Sequence, residues 1–131
     1  MKLIDTTVAV DHLRGVQSAV RMLRELVEAG EPVCASELVR FELLAGVRDE
    51  EIPELEEFCS ALNWIPVTEE IARSAGAMAR QYRAGYSGID DVDYLIAATA
   101  DVLEAELVTT NVRHFPMLPG LRPAYGPTSM R

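Results

Sequence analysis

The chain has 131 residues, 49% hydrophobic and 25% charged, which suffices for one domain with a core of its own and leaves no room for a second. Twenty-one acidic against twelve basic residues give a net charge of -9, which argues against nonspecific binding of nucleic acid through the whole surface while leaving room for a local basic rim. No apolar run approaches the roughly 20 residues of a membrane span, and Met1-Lys2-Leu3-Ile4 meets Asp5 at once where a signal peptide would continue, so a cytoplasmic protein without membrane contact is expected.

Lys2-Leu3-Ile4-Asp5 reads as a short buried strand ending in an acid, and Thr6-Thr7 start a helix that runs through Val8 to Leu13. A carboxylate at the C-terminal end of the first strand of an α/β sheet lies where such folds place their ligands; a plain helix cap is the alternative. From Val16 to Ala29, the residues Val16, Ala19, Val20, Leu23, Leu26 and Val27 recur at helical spacing, and Gly30 closes that helix. Pro32-Val33-Cys34-Ala35 is the second strand. Ser36 then opens a helix with apolar positions Leu38, Val39, Phe41, Leu44 and Ala45, ending at Gly46, with Glu42 on or beside the apolar face. Asp49 to Leu62 reads as one acidic amphipathic helix, with Ile52, Leu55, Phe58, Cys59 and Leu62 inward and its glutamates solvated. Cys34 and Cys59 have apolar neighbours and no metal-ligand spacing, the pattern of buried reduced thiols.

Trp64-Ile65-Pro66-Val67 is a third strand, and Thr68-Glu69-Glu70 caps a long helix that ends near Gly85. Small residues at Ala72, Ala75, Gly76 and Ala79 allow close approach, either of the domain's own layers or of a second copy. Arg80 and Arg83 end this helix in position to rim a phosphate-binding cleft. The next helix opens with Asp90, Asp91 and Asp93, yet its continuation, Leu95-Ile96-Ala97-Ala98, is too apolar for the surface. Capping and the helix macrodipole account for about two of these acids. Asp93, beside Ile96 on the inward side, needs a partner, and a divalent cation accepts several acids at once. Glu106-Leu107-Val108-Thr109 is the fourth strand, followed by Thr110-Asn111-Val112-Arg113-His114-Phe115. Leu121 to Tyr125 is expected to add an edge strand, within a domain spanning 1–125, and 126–131 to be a disordered tail. Strands alternating with helices indicate an α/β fold, a three-layer α/β/α sandwich around a mainly parallel central sheet.

In such a sheet the loops after strand ends gather at one edge, so Asp5, Glu42, Asp93 and Asn111 can converge although far apart in sequence. Oxygen ligands without a Cys or His cluster favour a hard ion, Mg²⁺ or Mn²⁺, over zinc. Such an ion relieves the repulsion among crowded carboxylates and suits phosphodiester hydrolysis, with one ion or two. Eleven of the twelve basic residues are arginine, the side chain suited to bidentate contacts with phosphate.

The succession Leu3-Ile4-Asp5-Thr6-Thr7, then Ser36-Glu37-Leu38-Val39-Arg40-Phe41-Glu42-Leu43-Leu44-Ala45-Gly46, then Asp93-Tyr94-Leu95-Ile96-Ala97-Ala98-Thr99-Ala100, then Thr109-Thr110-Asn111-Val112-Arg113-His114-Phe115 resembles a PIN-domain ribonuclease of the VapC toxin type over nearly the whole chain. The resemblance implies a Mg²⁺-dependent endoribonuclease, with Mn²⁺ able to substitute, from a type II toxin-antitoxin pair. Asp5, Glu42 and Asp93 match that family's metal-binding acids one for one. It also implies a homodimer and a VapB-type antitoxin that assembles with the toxin and lays a C-terminal segment across the acidic cleft.

Many PIN domains carry an aspartate at or shortly after position 111, where this chain has Asn111 and, three residues on, His114. Asn111 offers a carbonyl oxygen without charge, so Asp90, three residues before Asp93 on the same helix face, is a further candidate ligand. Thr6 and Thr109 are expected to fix the carboxylates. His114 is either a base or a structural residue of its turn, and Arg113 joins Arg80 and Arg83 as a candidate RNA contact. The expected substrate is structured RNA, a tRNA or rRNA cut within a single-stranded loop. Two other classes compete. An aspartyl-nucleophile phosphatase would want an acid two residues after Asp5, where Thr7 stands. A catalytically inactive PIN-like binding module would use the acids only to hold a basic partner peptide.

Overall fold

The computed structural model describes residues 1–126, so the expected tail lies, apart from Gly126, outside the described residues. Four strands, β1 (Lys2–Ile4), β2 (Val33–Ser36), β3 (Asn63–Ile65) and β4 (Glu106–Val108), form one sheet in the order β3-β2-β1-β4, all parallel. Leu3 and Ile4 are fully buried and all of β2 is buried, as in a sheet covered on both faces.

Six helices supply the cover: α1 (Thr6–Leu13), α2 (Gln17–Glu28), α3 (Glu37–Gly46), α4 (Ile52–Cys59), α5 (Glu69–Tyr82) and α6 (Asp91–Leu103). Parallel neighbours require crossovers of one hand. The chain therefore steps from β1 to β3 along one face with α1–α4, then returns to β4 across the other with α5 and α6. Accordingly α1 packs against α2 and α3, and α5 against α6. The fold is a three-layer α/β/α sandwich. Among the described residues no helix is long and apolar enough to cross a membrane.

Local chemistry sets most boundaries. Ser36 and Thr68 cap α3 and α5 by accepting the amides of Leu38 and Ile71. Gly30 closes α2 at φ +75°, a backbone region that side chains with a Cβ avoid. Cys34 and Cys59 are free and buried.

Four expectations are corrected. The acidic segment from Asp49 to Leu62 is a 3-10 turn at Asp49–Glu51, then α4, which ends at Cys59. Pro53 sits in the first turn of α4, where its missing N–H is harmless, so the helix starts there and not earlier. In α3 the buried pair is Val39 and Leu43, four residues apart; Phe41 lies about half a turn away and is 64% exposed, and Leu44 and Ala45 are exposed too. In α2 the stripe Ala19, Leu23, Val27 steps by four residues on a 3.6-residue helix, so it drifts off the core and Val27 is exposed. Residues 121–125 form no strand: Ala124 N–H donates to Thr109 O at 2.8 Å, but no further ladder follows.

Candidate active site

Asp5 follows the end of β1. Its N–H donates to Val108 O at 3.0 Å, and its carbonyl accepts the amides of Val8 and Ala9 as α1 begins. Its carboxylate is a helix cap and more. Oδ1 accepts from Thr6 N–H at 2.8 Å, while Oδ2 accepts from the Thr109 hydroxyl at 2.8 Å and the Thr7 hydroxyl at 3.3 Å. With only 5% exposure, burial pushes the Asp5 carboxyl above the usual range, against the downward pull of its Thr109, Thr6 and Thr7 hydrogen bonds. A carboxylate so clasped cannot swing away.

Thr6 also reaches across to α3, its hydroxyl donating to Glu42 Oε1 at 2.5 Å. Asp5 and Glu42, 37 residues apart in the chain, are thus held by successive atoms of one threonine: its amide and its hydroxyl.

Asp93 enters from the opposite layer. Asp90 is the N-cap of α6, its Oδ1 accepting Asp93 N–H at 2.9 Å, and Asp93 Oδ2 returns the bond from Asp90 N–H at 3.2 Å. This reciprocal box absorbs one Asp93 oxygen in ordinary capping, contrary to the expectation that capping would leave Asp93 out. The same Oδ2 lies 3.1 Å from His114 Nδ1. The Asp93 side chain is 14% exposed, and its carboxyl is raised to about 6, chiefly by burial. The Asp90 amide lowers it, the charges of Asp90 and Asp5 raise it, and His114 lowers it. A chain of contacts from Asp5 through Thr109, Asn111 and His114 to Asp93 places both acids at one rim of the sheet.

Thr109 links this rim to the β4 end. Its hydroxyl donates to Asp5 and accepts from Asn111 N–H at 3.0 Å, and the Asn111 side-chain nitrogen lies 3.1 Å from His114 Nδ1. Asn111 and His114 therefore act as neighbours of Asp93, a role that the three-residue spacing hinted at but could not orient. Thr7, weighed in the sequence as a missing acid, supplies the second hydroxyl on Asp5, beside that of Thr109.

The three acids share a rim but are not drawn into a closed cage. Among the described residues no group of three or more His, Cys, Asp and Glu side chains is gathered tightly enough to hold an ion as it stands. Glu42 and Asp93 nevertheless keep capacity: their bonds fall on Oε1 and Oδ2 alone, leaving the second oxygen of each without a partner among the described residues, whereas both Asp5 oxygens accept hydrogen bonds. Such a donor set, carboxylates and neutral oxygens only, suits a hard divalent ion.

The expected arginine rim is only partly there. Arg83 is paired with Asp91 at 2.7 Å and lies over the Tyr94 ring, 5.6 Å from its centroid; Arg80 and Arg113 are exposed. Two arginines that sequence reasoning passed over, Arg14 and Arg48, instead line a cavity of about 630 Å³ that adjoins Glu42 between α1, α3 and α4.

The PIN domain family matches residues 2–119, nearly the whole sandwich and every acid of the rim. The chain belongs to the PIN-domain family. Within it, this PIN domain is 65% identical over 125 residues to Ribonuclease VapC19 of Mycobacterium tuberculosis, covering 95% of this chain and 100% of that protein. It is 42% identical over 125 residues to Ribonuclease VapC10 of the same species, covering 95% of this chain and 93% of that one. The solved structure of VapBC2 from Rickettsia felis bound to a DNA fragment from their promoter superimposes with a TM-score of 0.79 at 25% identity, over 92% of this chain and 94% of that one.

Proposed function

We propose that this PIN domain is a metal-dependent endoribonuclease toxin that hydrolyses phosphodiester bonds in structured RNA, within a single-stranded loop of a tRNA or rRNA. The observation that carries the reading is the Asp5 carboxylate, buried yet ionisable, clasped by three threonines at the sheet edge where Asp93 also arrives. A buried acid with a raised pKa is poorly stabilised by the protein alone, which is the state of a group that awaits a cation. Identity of 65% to a protein named a ribonuclease, over that protein's full length, supports the same chemistry.

Asp5, Glu42 and Asp93 are the groups that would hold Mg²⁺ or Mn²⁺, with Asn111 contributing a neutral oxygen and Asp90 kept at the helix cap. When bound, the ion supplies Lewis acidity that makes the attacking water more acidic and offsets charge gathering on the phosphate. The chain's own groups set the stage. Thr109, Thr7 and Thr6 lock the Asp5 and Glu42 rotamers, His114 stands beside Asp93 Oδ2, and Arg14, in the cavity that adjoins Glu42, offers positive charge to an RNA backbone, Arg48 being paired with Glu50 and Glu51.

The partner proposed is a VapB-type antitoxin, as in the VapBC structure that shares the fold. A guanidinium on its C-terminal segment would satisfy the same acids, and the net charge of -9 favours a basic peptide over that rim. A homodimer and a cytoplasmic location complete the reading. The competing reading, a binding module without turnover, rests on Asn111 standing where many PIN domains carry an acid.

Purified, antitoxin-free protein incubated with structured RNA and Mg²⁺ or Mn²⁺ decides between them. Cleavage that stops with chelator and in Asp93→Asn is the expected result. Cleavage that survives either treatment overturns the metal mechanism, and no cleavage by the wild type under any metal favours the binding module.

A further inference from the structure

Residues 121–125 lead away from the site in sequence and return to it in space. Ala124 N–H donates to Thr109 O at 2.8 Å, and the next residue, Tyr125, donates its hydroxyl to Asp11 Oδ2 at 2.6 Å. Asp11 lies in α1, the helix that Asp5 caps, and Thr109 holds Asp5 through its own hydroxyl. The contacts therefore close a ring: Asp5 to Asp11 along α1, Asp11 to Tyr125, Ala124 to Thr109, and Thr109 back to Asp5. None of these members is next to another in sequence except Ala124 and Tyr125.

We propose that Tyr125 is a positioning residue that, by tying the segment after β4 to α1, keeps the Thr109 hydroxyl on the Asp5 carboxylate. The ring joins the ends of β1 and β4 on the side where the sheet itself has stopped: β1 ends at Ile4 and β4 at Val108, one residue short of the groups being held. Beyond those ends the last ladder bond, Asp5 N–H to Val108 O at 3.0 Å, stops one residue short of Thr109. Leu118, Leu121, Ala124 and Tyr125 pack on the core, so the strap is anchored by apolar contact, and the hydroxyl supplies its direction. Burial, with Asp11 opposite, raises the Tyr125 phenol, which keeps it a donor at neutral pH.

The inference concerns catalysis only if the nuclease reading holds, so its test begins with a readout independent of activity. In the metal-free protein, amide hydrogen exchange is followed at Asn111, whose N–H rests on the Thr109 hydroxyl, at Ala124, and at Ala35 in β2 as a remote control. Tyr125→Phe removes one hydroxyl and keeps the apolar anchor. About tenfold faster exchange at Asn111 and Ala124, with Ala35 unchanged, is expected, and the same in Asp11→Ala. Asp11→Asn, which still accepts from the phenol, should restore slow exchange. Unchanged rates at Asn111 and Ala124, or equal acceleration at all three amides, overturns the positioning role. In RNA cleavage, Tyr125→Phe should then lower kcat several-fold with KM unchanged; a rise in KM alone would also overturn it. Absence of cleavage in the wild type would remove the nuclease reading and leave the exchange result standing.

Discussion

His114 Nδ1 stands 3.1 Å from Asp93 Oδ2 and also 3.1 Å from the Asn111 side-chain nitrogen. One ring nitrogen cannot donate to a carboxylate and accept from an amide at once, so its proton decides which neighbour it serves. The Asp93 carboxyl is raised to about 6, chiefly by burial, with the neighbouring His114 pulling it down. A carboxyl raised in the folded state binds its proton more tightly there than in the unfolded chain. Its stabilising effect is full below pH 3.8 and is lost as pH rises through about 6. Above that, the ionised acid costs about 2–3 kcal/mol in metal-free protein. Asp93→Asn should therefore abolish cleavage yet raise Tm in chelator at pH 7.5 by several degrees, with no gain at pH 4. Equal or lower stability of the variant at pH 7.5 would show that the acid is satisfied without metal.

Thr6 ties Asp5 to Glu42 through one amide and one hydroxyl. Thr6→Val keeps the size and the amide and deletes only the hydroxyl that Glu42 accepts. Cleavage is expected to fall about tenfold while stability changes by about 1 kcal/mol. Thr6→Ser should recover most of the loss. Single-turnover rates and urea titration, measured together, separate the two effects.

Tyr94 is 2% exposed, and its hydroxyl finds no hydrogen-bond partner among the described residues. Removing a buried, unpaired hydroxyl while keeping the ring loses nothing and recovers a desolvation cost. Tyr94→Phe is expected to leave stability unchanged or raise it by about 1 kcal/mol, read from chemical denaturation. A loss above that would reveal a partner for the phenol.

His12 stacks on Phe58 with ring centroids 4.8 Å apart and has its Nδ1 buried without a partner among the described residues. Burial pushes this imidazole below its ordinary value of 6.5, opposed by the charge of Glu54. A base depressed in the folded state supports folding above pH 6.5 and withdraws that support as pH falls through the lowered value, the reverse of Asp93. His12→Phe should accordingly stabilise the protein more at pH 5 than at pH 7.5. A pH-independent difference between variant and wild type would contradict this.

Much of this architecture was legible because each strand and helix carries local signals: Asp5 and Ser36 as caps, Gly30 as a stop, and Leu3-Ile4 as a run too apolar for an edge. What escaped has a common cause. Phe41 and Leu44 share the sequence character of Val39 and Leu43, and only the phase set by the cap at Ser36 tells which pair faces the sheet. Residues 121–125 look like a strand by composition, yet their one ladder bond leads to Thr109 and no further. At the site the acids and two of their partners, Thr6 and Thr109, could be listed from sequence, but not which acid each would hold: the Thr6 hydroxyl goes to Glu42 and that of Thr109 to Asp5. Thr7 is an ordinary threonine until the fold brings its hydroxyl to Asp5. The capping box that claims part of Asp93 was written in the three-residue spacing of Asp90 and Asp93, and was read there as a ligand pair.

Asp5 directly follows β1, which sits in the middle of the sheet, paired in register with β4 from Lys2 with Glu106 to Ile4 with Val108. Its neighbour on that side lies 104 residues further along the chain, and Thr109, Asn111 and His114 follow it. A nascent chain can therefore pack α1 to α4 early and still present no finished cleft. The cleft is thus closed by residues 104 or more positions downstream of the acid around which it is built, and its geometry depends on that distant pairing.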